Sequence, residues 1–297
     1  MIKLNYKSTA NQVAEFFLIL GFNIIFFVCF AWLTAIPLFG EENLYTAGAL
    51  RYINCLTQIG IMGLTAFECA YLFNNKNAIN YLQLNKGFSF SHCLLVVLIA
   101  VLSLPFLSYI IEWNEGIKLP QFMSSIEAWM QEKENDSEEI TNLMLAGNSI
   151  QIMLVNLAVM AIIPAICEEF LFRGLLVTWF KNKIKNVHIV VFLSAFIFSA
   201  IHLQFYGFVP RFLLGLYLGY LFVWTGSLWV CIMVHFINNA MAVIVSYLFN
   251  NQLINTEYQQ FGNVGNNYLL IGLSLLFSAV CIYFLYRKRL TVNFTDC

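Results

Sequence analysis

Long apolar runs, most close to twenty residues or more, are the feature that most limits what this chain can fold into. A run of that length matches the thickness of a bilayer when it is helical. Read along the chain, the runs give about eight spans, at 13–36, 48–73, 91–111, 150–180, 188–204, 209–225, 227–249 and 267–286. The fold class expected is therefore all-α, a polytopic membrane helix bundle of about eight transmembrane helices. At 297 residues the chain is long enough for two soluble domains, but only 10% of it is charged, far below the roughly one quarter typical of soluble domains. The first run, about Val13–Pro37, is too long for the apolar part of a signal peptide and lacks a cleavage site, so it reads as a retained span. The second span is interrupted by Arg51, Asn54, Gln58 and Glu68, and Glu68 is expected to face the bundle interior in a structural role. The chain divides into 1–149 (three spans and an acidic loop), 150–249 (a core containing most of the buried polar groups) and 250–297 (a last span and a basic tail).

Loop charge supports an even number of spans. Lys3 and Lys7, Lys76 and Lys86, Lys181, Lys183 and Lys185, and finally Arg287, Lys288 and Arg289 fall in alternate connections. The intervening loops are acidic: Glu41 and Glu42 in the first, and eight of the sixteen acids between Glu112 and Glu139 in the third. Positive residues mark the cytoplasmic side, so both termini are expected there, with a bacterial cytoplasmic membrane as the location. The third loop, about 112–149, reads either as an amphipathic surface helix centred on Phe122-Met123-x-x-Ile126-x-x-Trp129-Met130 or as a solvated connector packed on the bundle. The net charge of −1 gives no basis for nucleic-acid binding. The eight cysteines are scattered without a C-x-x-C pair and read as free thiols of the core rather than a disulfide framework or thiolate metal site.

Against that apolar background the polar exceptions carry the chemistry. Glu168, Glu169 and Arg173 lie within six residues of the fourth span, and ionisable side chains there default to a functional role. Two further pairs follow, Phe198-x-x-x-His202 and His235-x-x-x-Asn239. Glu168 lies roughly 20 Å from the Lys181 loop, His202 roughly 20 Å above the same loop, and Asn239 roughly 18 Å in from the turn at Gly226-Ser227. Three spans thus bring polar groups to a similar depth.

Helical geometry assigns roles. Glu169 and Arg173, four apart, share a face and can pair. Glu168 is rotated by about 100° from Glu169 and is left to face a cavity, where desolvation suits a carboxylate to act as a general base. His235 and Asn239 line one face and can give two hydrogen bonds to one oxygen, as an acyl-transfer oxyanion needs. Gly215-x-x-x-Gly219 permits close helix approach, and Pro164 is placed to kink the fourth span. His188 and His92 sit at span boundaries, and Arg211 is expected to snorkel to headgroups.

The three motifs Glu168-Glu169-x-x-x-Arg173, Phe198-x-x-x-His202 and His235-x-x-x-Asn239, in this order on successive helices, resemble the CAAX prenyl protease and bacteriocin-processing family of intramembrane endopeptidases. The resemblance covers about residues 150–245, and Glu112-Trp113-Asn114 with Leu119-Pro120 resembles bacterial members. It implies that Glu168 activates water with help from His202, that His235 and Asn239 stabilise the oxyanion, and that Glu169 and Arg173 orient the set. It implies no cofactor, and as partners the lipid bilayer and a peptide or lipidated protein substrate. Two other classes stay open. One is a zinc peptidase with Glu168, His202 and His235 as ligands, although there is no H-E-x-x-H and Asn239 would then lack a task. The other is a non-enzymatic immunity factor, scaffold or small transporter whose buried polar groups only hold the bundle, although neither inverted repeats nor broken helices argue for transport.

Overall fold

The computed structural model describes residues 9–287 apart from 75, 88, 89, 258 and 259. Lys3, Lys7, Lys288, Arg289 and Cys297, used above, lie outside the described residues. Among those described, the regular structure is entirely helical. The main helices are α1 (Thr9–Phe39), α2 (Ala47–Phe73), α3 (Phe90–Leu102), α4 (Leu104–Glu115), α5 (Ser124–Leu145), α6 (Ile150–Lys181), α7 (Val187–Ala200), α8 (Phe208–Thr225), α9 (Leu228–Asn250) and α10 (Tyr268–Arg287).

Six of these are long and apolar enough to cross a membrane: α1, α2, α6, α8, α9 and α10. α3 and α4 form a seventh candidate as a pair bent by 48°. The bend falls at Ser103, just before Pro105, which lacks an amide proton and clashes with the preceding turn but suits the first turn of a new helix. The eighth apolar segment, α7, has fourteen residues. At 1.5 Å per residue it spans roughly 21 Å, short of a hydrocarbon core of about 30 Å. His202, expected inside a span ending near 204, therefore lies in the connector beyond α7.

α6 and α9 pack against each other at the centre. α1 with α2 flanks them on one side and α7 with α8 on another, while α3, α4 and α10 close the bundle. Water offers no drive for helix association in lipid, so contact depends on small residues that let backbones approach. Gly215 and Gly219 do this: a Cβ on Gly215 would lie 3.0 Å from Ala195 Cβ, and one on Gly219 2.8 Å from Val191 Cγ1. Gly63 similarly seats α2 against Cys167 of α6. Phe17, Leu18, Phe22 and Ile25 on α1 stay exposed, as suits a surface solvated by lipid. The seven described cysteines are free.

Three of the polar interruptions of α2, Arg51, Asn54 and Gln58, form a stripe facing α6. The Arg51 Nε–H donates to Asn156 Oδ1 at 2.7 Å, and its Nη2 reaches the Met144 carbonyl, pinning the end of α5. The Asn54 amide is 3.5 Å from the Val159 carbonyl, and Gln58 meets Glu168. Glu68 faces inward as expected, accepting from Asn23 Nδ2 at 3.0 Å. The third loop contains a packed helix, α5, with Trp129 5.3 Å from the Phe205 ring centroid.

Candidate active site

α6 is not a uniform α-helix. Its turns widen to π geometry over Leu157–Ile162 and again over Phe170–Val177, either side of the two glutamates. Pro164 accounts for the first, since it cannot donate to the carbonyl four residues back and its ring needs the room. Wide turns inside α-helices concentrate at functional sites. Here they bracket Ile163–Glu169, the segment that presents the carboxylates.

Glu169 and Arg173 are both fully buried and form the anticipated pair, Nη1 to Oε1 at 2.7 Å. Arg173 Nη2 also donates to the Gly215 carbonyl at 3.3 Å, and its guanidinium lies 4.6 Å from the Phe198 ring centroid. That stacking gains when desolvated. The same Oε1 of Glu169 accepts a second hydrogen bond across the helix interface, from His235 Nδ1 at 2.8 Å. A carboxylate paired with arginine has no proton to give, so Nδ1 bears the hydrogen and Nε2 is the nitrogen that turns outward. Nε2 points to Glu168, 3.8 Å from Oε2. Glu168 is itself buried, and its Oε1 accepts from Gln58 Nε2 at 3.2 Å.

Glu168, Glu169, Arg173 and His235 thus form one contact cluster from α6 and α9. His202 is joined to it through Phe198, whose ring lies 5.3 Å from the His202 ring and 5.9 Å from that of His235. The His202 Nδ1–H donates to the Phe198 carbonyl at 2.8 Å, which fixes its tautomer, since a carbonyl can only accept. Asn239 lies one turn along α9 from His235 and accepts from Asn238 Nδ2 at 3.2 Å. His188 bonds Tyr220 at the helix end, apart from the cluster, and His92 is buried at the start of α3. Arg211 does not extend to headgroups: its Nη1 folds back to the Gln204 carbonyl at 3.3 Å, and its guanidinium lies against Gly207. Above the connector, burial pushes the Glu134 carboxyl of α5 above the ordinary glutamate range, partly offset by the Tyr206 amide it accepts from. Among the described residues no three His, Cys, Asp or Glu side chains are grouped so that they could hold a metal ion.

Two contributors were not singled out from the sequence as site residues. Gln58 was visible only as a polar break in a span, yet its amide donates a hydrogen bond to Glu168. Phe198, quoted as a motif position, turns out to touch Arg173 and both histidines.

Residues 150–241 match the family described as Type II CAAX prenyl endopeptidase Rce1-like. Neither a curated protein nor a solved structure matches the chain. The matched segment begins at the start of α6 and extends two residues past Asn239, so it contains the three polar pairs. With its apolar helices, the chain is an integral membrane protein.

Proposed function

We propose that this chain, whose residues 150–241 match the Rce1-like family of type II CAAX prenyl endopeptidases, is an intramembrane endopeptidase that hydrolyses a peptide bond of a membrane-associated or lipidated substrate through water activated by Glu168. The observation that carries the reading is the buried cluster of Glu168, Glu169, Arg173 and His235, two acids and two bases from two helices in direct contact. The carboxylates differ in their partners. Glu169 is hydrogen-bonded to both Arg173 and His235, whereas Glu168 accepts from the neutral Gln58 amide at Oε1 and has His235 Nε2 3.8 Å from its Oε2, so Glu168 is the carboxylate assigned to take the proton.

In the proposed reaction Glu168 accepts a proton from water as the oxygen attacks the scissile carbonyl, with His202 assisting. The oxyanion takes hydrogen bonds from Asn239 Nδ2–H and His235 Nε2–H. Because the Nδ1–H of His235 is spent on Glu169, that second bond requires the imidazolium form. Collapse of the tetrahedral intermediate breaks the C–N bond, and the proton held by Glu168 passes to the leaving amine. The reading uses no metal ion, and its location is a bacterial cytoplasmic membrane.

The family sets the first substrate to try: a peptide ending in a prenylated cysteine and three further residues. Purified protein in liposomes should release the C-terminal tripeptide, identified by mass spectrometry, with and without a strong chelator. Release that persists under chelation is expected. Release abolished by chelation and restored by zinc would overturn the metal-free reading.

A further inference from the structure

The connector between α7 and α8 bears His202, and its backbone departs from ordinary geometry just after that residue. α7 ends at Ala200, and Leu203 adopts a φ of +53°, in the left-handed region. A side chain with a Cβ is disfavoured there and persists where the surroundings over-determine it. Packing of Leu203 itself is not what holds it, because half of that residue is exposed.

Ser199 Oγ and Arg211 Nη1 tie the Phe208 and Gln204 carbonyls, and the densest set of ties comes from α4. Asn114 is buried, and its Nδ2 donates to the carbonyls of Phe205, at 3.1 Å, and Tyr206. Its Oδ1 accepts the Val209 amide at 3.1 Å. One side chain therefore meets three backbone groups within five residues. Glu134 on α5 adds a fourth tie, accepting the Tyr206 amide at 3.2 Å. Among the described residues the His202 imidazole has one hydrogen bond, to the Phe198 carbonyl, so its orientation depends on the backbone path through the connector.

We propose that Asn114 is a positioning residue for His202: it holds the strained connector in the single path that carries the imidazole to the site. The proposal rests on the reading above that His202 assists Glu168. It implies that the acidic loop preceding α6 serves the chemistry by clamping this turn.

The test compares Asn114→Ala, Leu203→Gly, their double variant and Glu134→Ala with the unaltered protein in liposomes. It measures turnover of the prenylated peptide and amide hydrogen exchange over residues 203–209. Asn114→Ala is expected to speed exchange at Tyr206 and Val209 and to lower kcat roughly 10- to 100-fold with KM little changed, the scale of a small misplacement of a reacting group. Adding Leu203→Gly, which makes the left-handed turn intrinsically favourable, should recover part of that kcat. Glu134→Ala, which removes the tie on the Tyr206 amide and leaves Asn114 in place, should act in the same direction by a few-fold. An Asn114→Ala protein whose kcat is unchanged while Glu168→Gln is inactive would overturn the positioning role and leave the proposed function standing. Loss of kcat without faster exchange, or without any recovery from Leu203→Gly, would also overturn it. If Asn114→Ala fails to fold, unchanged kcat and exchange in Glu134→Ala would count against it.

Discussion

Replacing Arg173 by methionine keeps much of its volume and removes its charge. Three interactions go at once: the 2.7 Å bond to Glu169, the bond to the Gly215 carbonyl and the stacking on Phe198. Among the described residues Glu169 is left fully buried with one donor, His235 Nδ1–H, and its Oε2 has no hydrogen-bond partner. Stranding a buried charge in this way costs about 3–5 kcal/mol. That corresponds to roughly two to three and a half decades in the folding equilibrium. Cys69, Cys167 and Cys231 are buried free thiols, so unfolding in detergent can be followed by the rate at which a thiol-reactive dye labels them. Arg173→Met should label at markedly lower temperature than the unaltered protein. Glu169→Gln combined with Arg173→Met removes the stranded charge and should regain much of the stability, because a buried pair is worth little over neutral residues of similar shape. It should not regain activity, since His235 loses the carboxylate that sets its tautomer. An Arg173→Met protein as stable as the parent, or a double variant no better than the single, would refute the reasoning.

Gly60→Ala places a Cβ 2.0 Å from Phe27 Cγ, so it should cost about 1–3 kcal/mol of stability by overpacking, and Phe27→Ala should relieve it. The same dye assay reads both. Gln58→Leu removes the amide that donates to Glu168 and should lower kcat by roughly tenfold, the scale of a hydrogen bond to a charged group, with thermal stability little changed. Asn239→Ala should reduce the cleavage rate by about 10²–10³ if it supplies an oxyanion donor, measured on folded protein under single-turnover conditions.

The helical class and the polar set were legible because hydrocarbon is an exacting solvent: each ionisable residue in an apolar run stands out, and Glu169–Arg173 follows from helical spacing alone. What stayed hidden depends on how helices rotate against one another. The bond from His235 to Glu169 joins residues 66 apart, and spacing along α9 does not reveal which nitrogen faces which carboxylate. The stripe of Arg51, Asn54 and Gln58 looked like a defect in a span because its partners, Asn156, Val159 and Glu168, are about a hundred residues away. The early stop of α7 left no mark either. The turn is made by Leu203, an apolar residue in a left-handed conformation, where a glycine would have announced it. The π turns around the glutamates carry a single cue, Pro164.

The central claim is that Glu168 is the base. Glu168→Gln preserves shape and can still meet Gln58, so the folded bundle should persist while the proton acceptor is gone. Cleavage of the prenylated peptide by purified protein in liposomes, measured as the rate of tripeptide release, tests this directly. A fall of at least about two orders of magnitude in a variant with unaltered dye-labelling temperature is the expected result. A fully active Glu168→Gln protein would contradict the account and leave the buried cluster as a structural feature of the bundle.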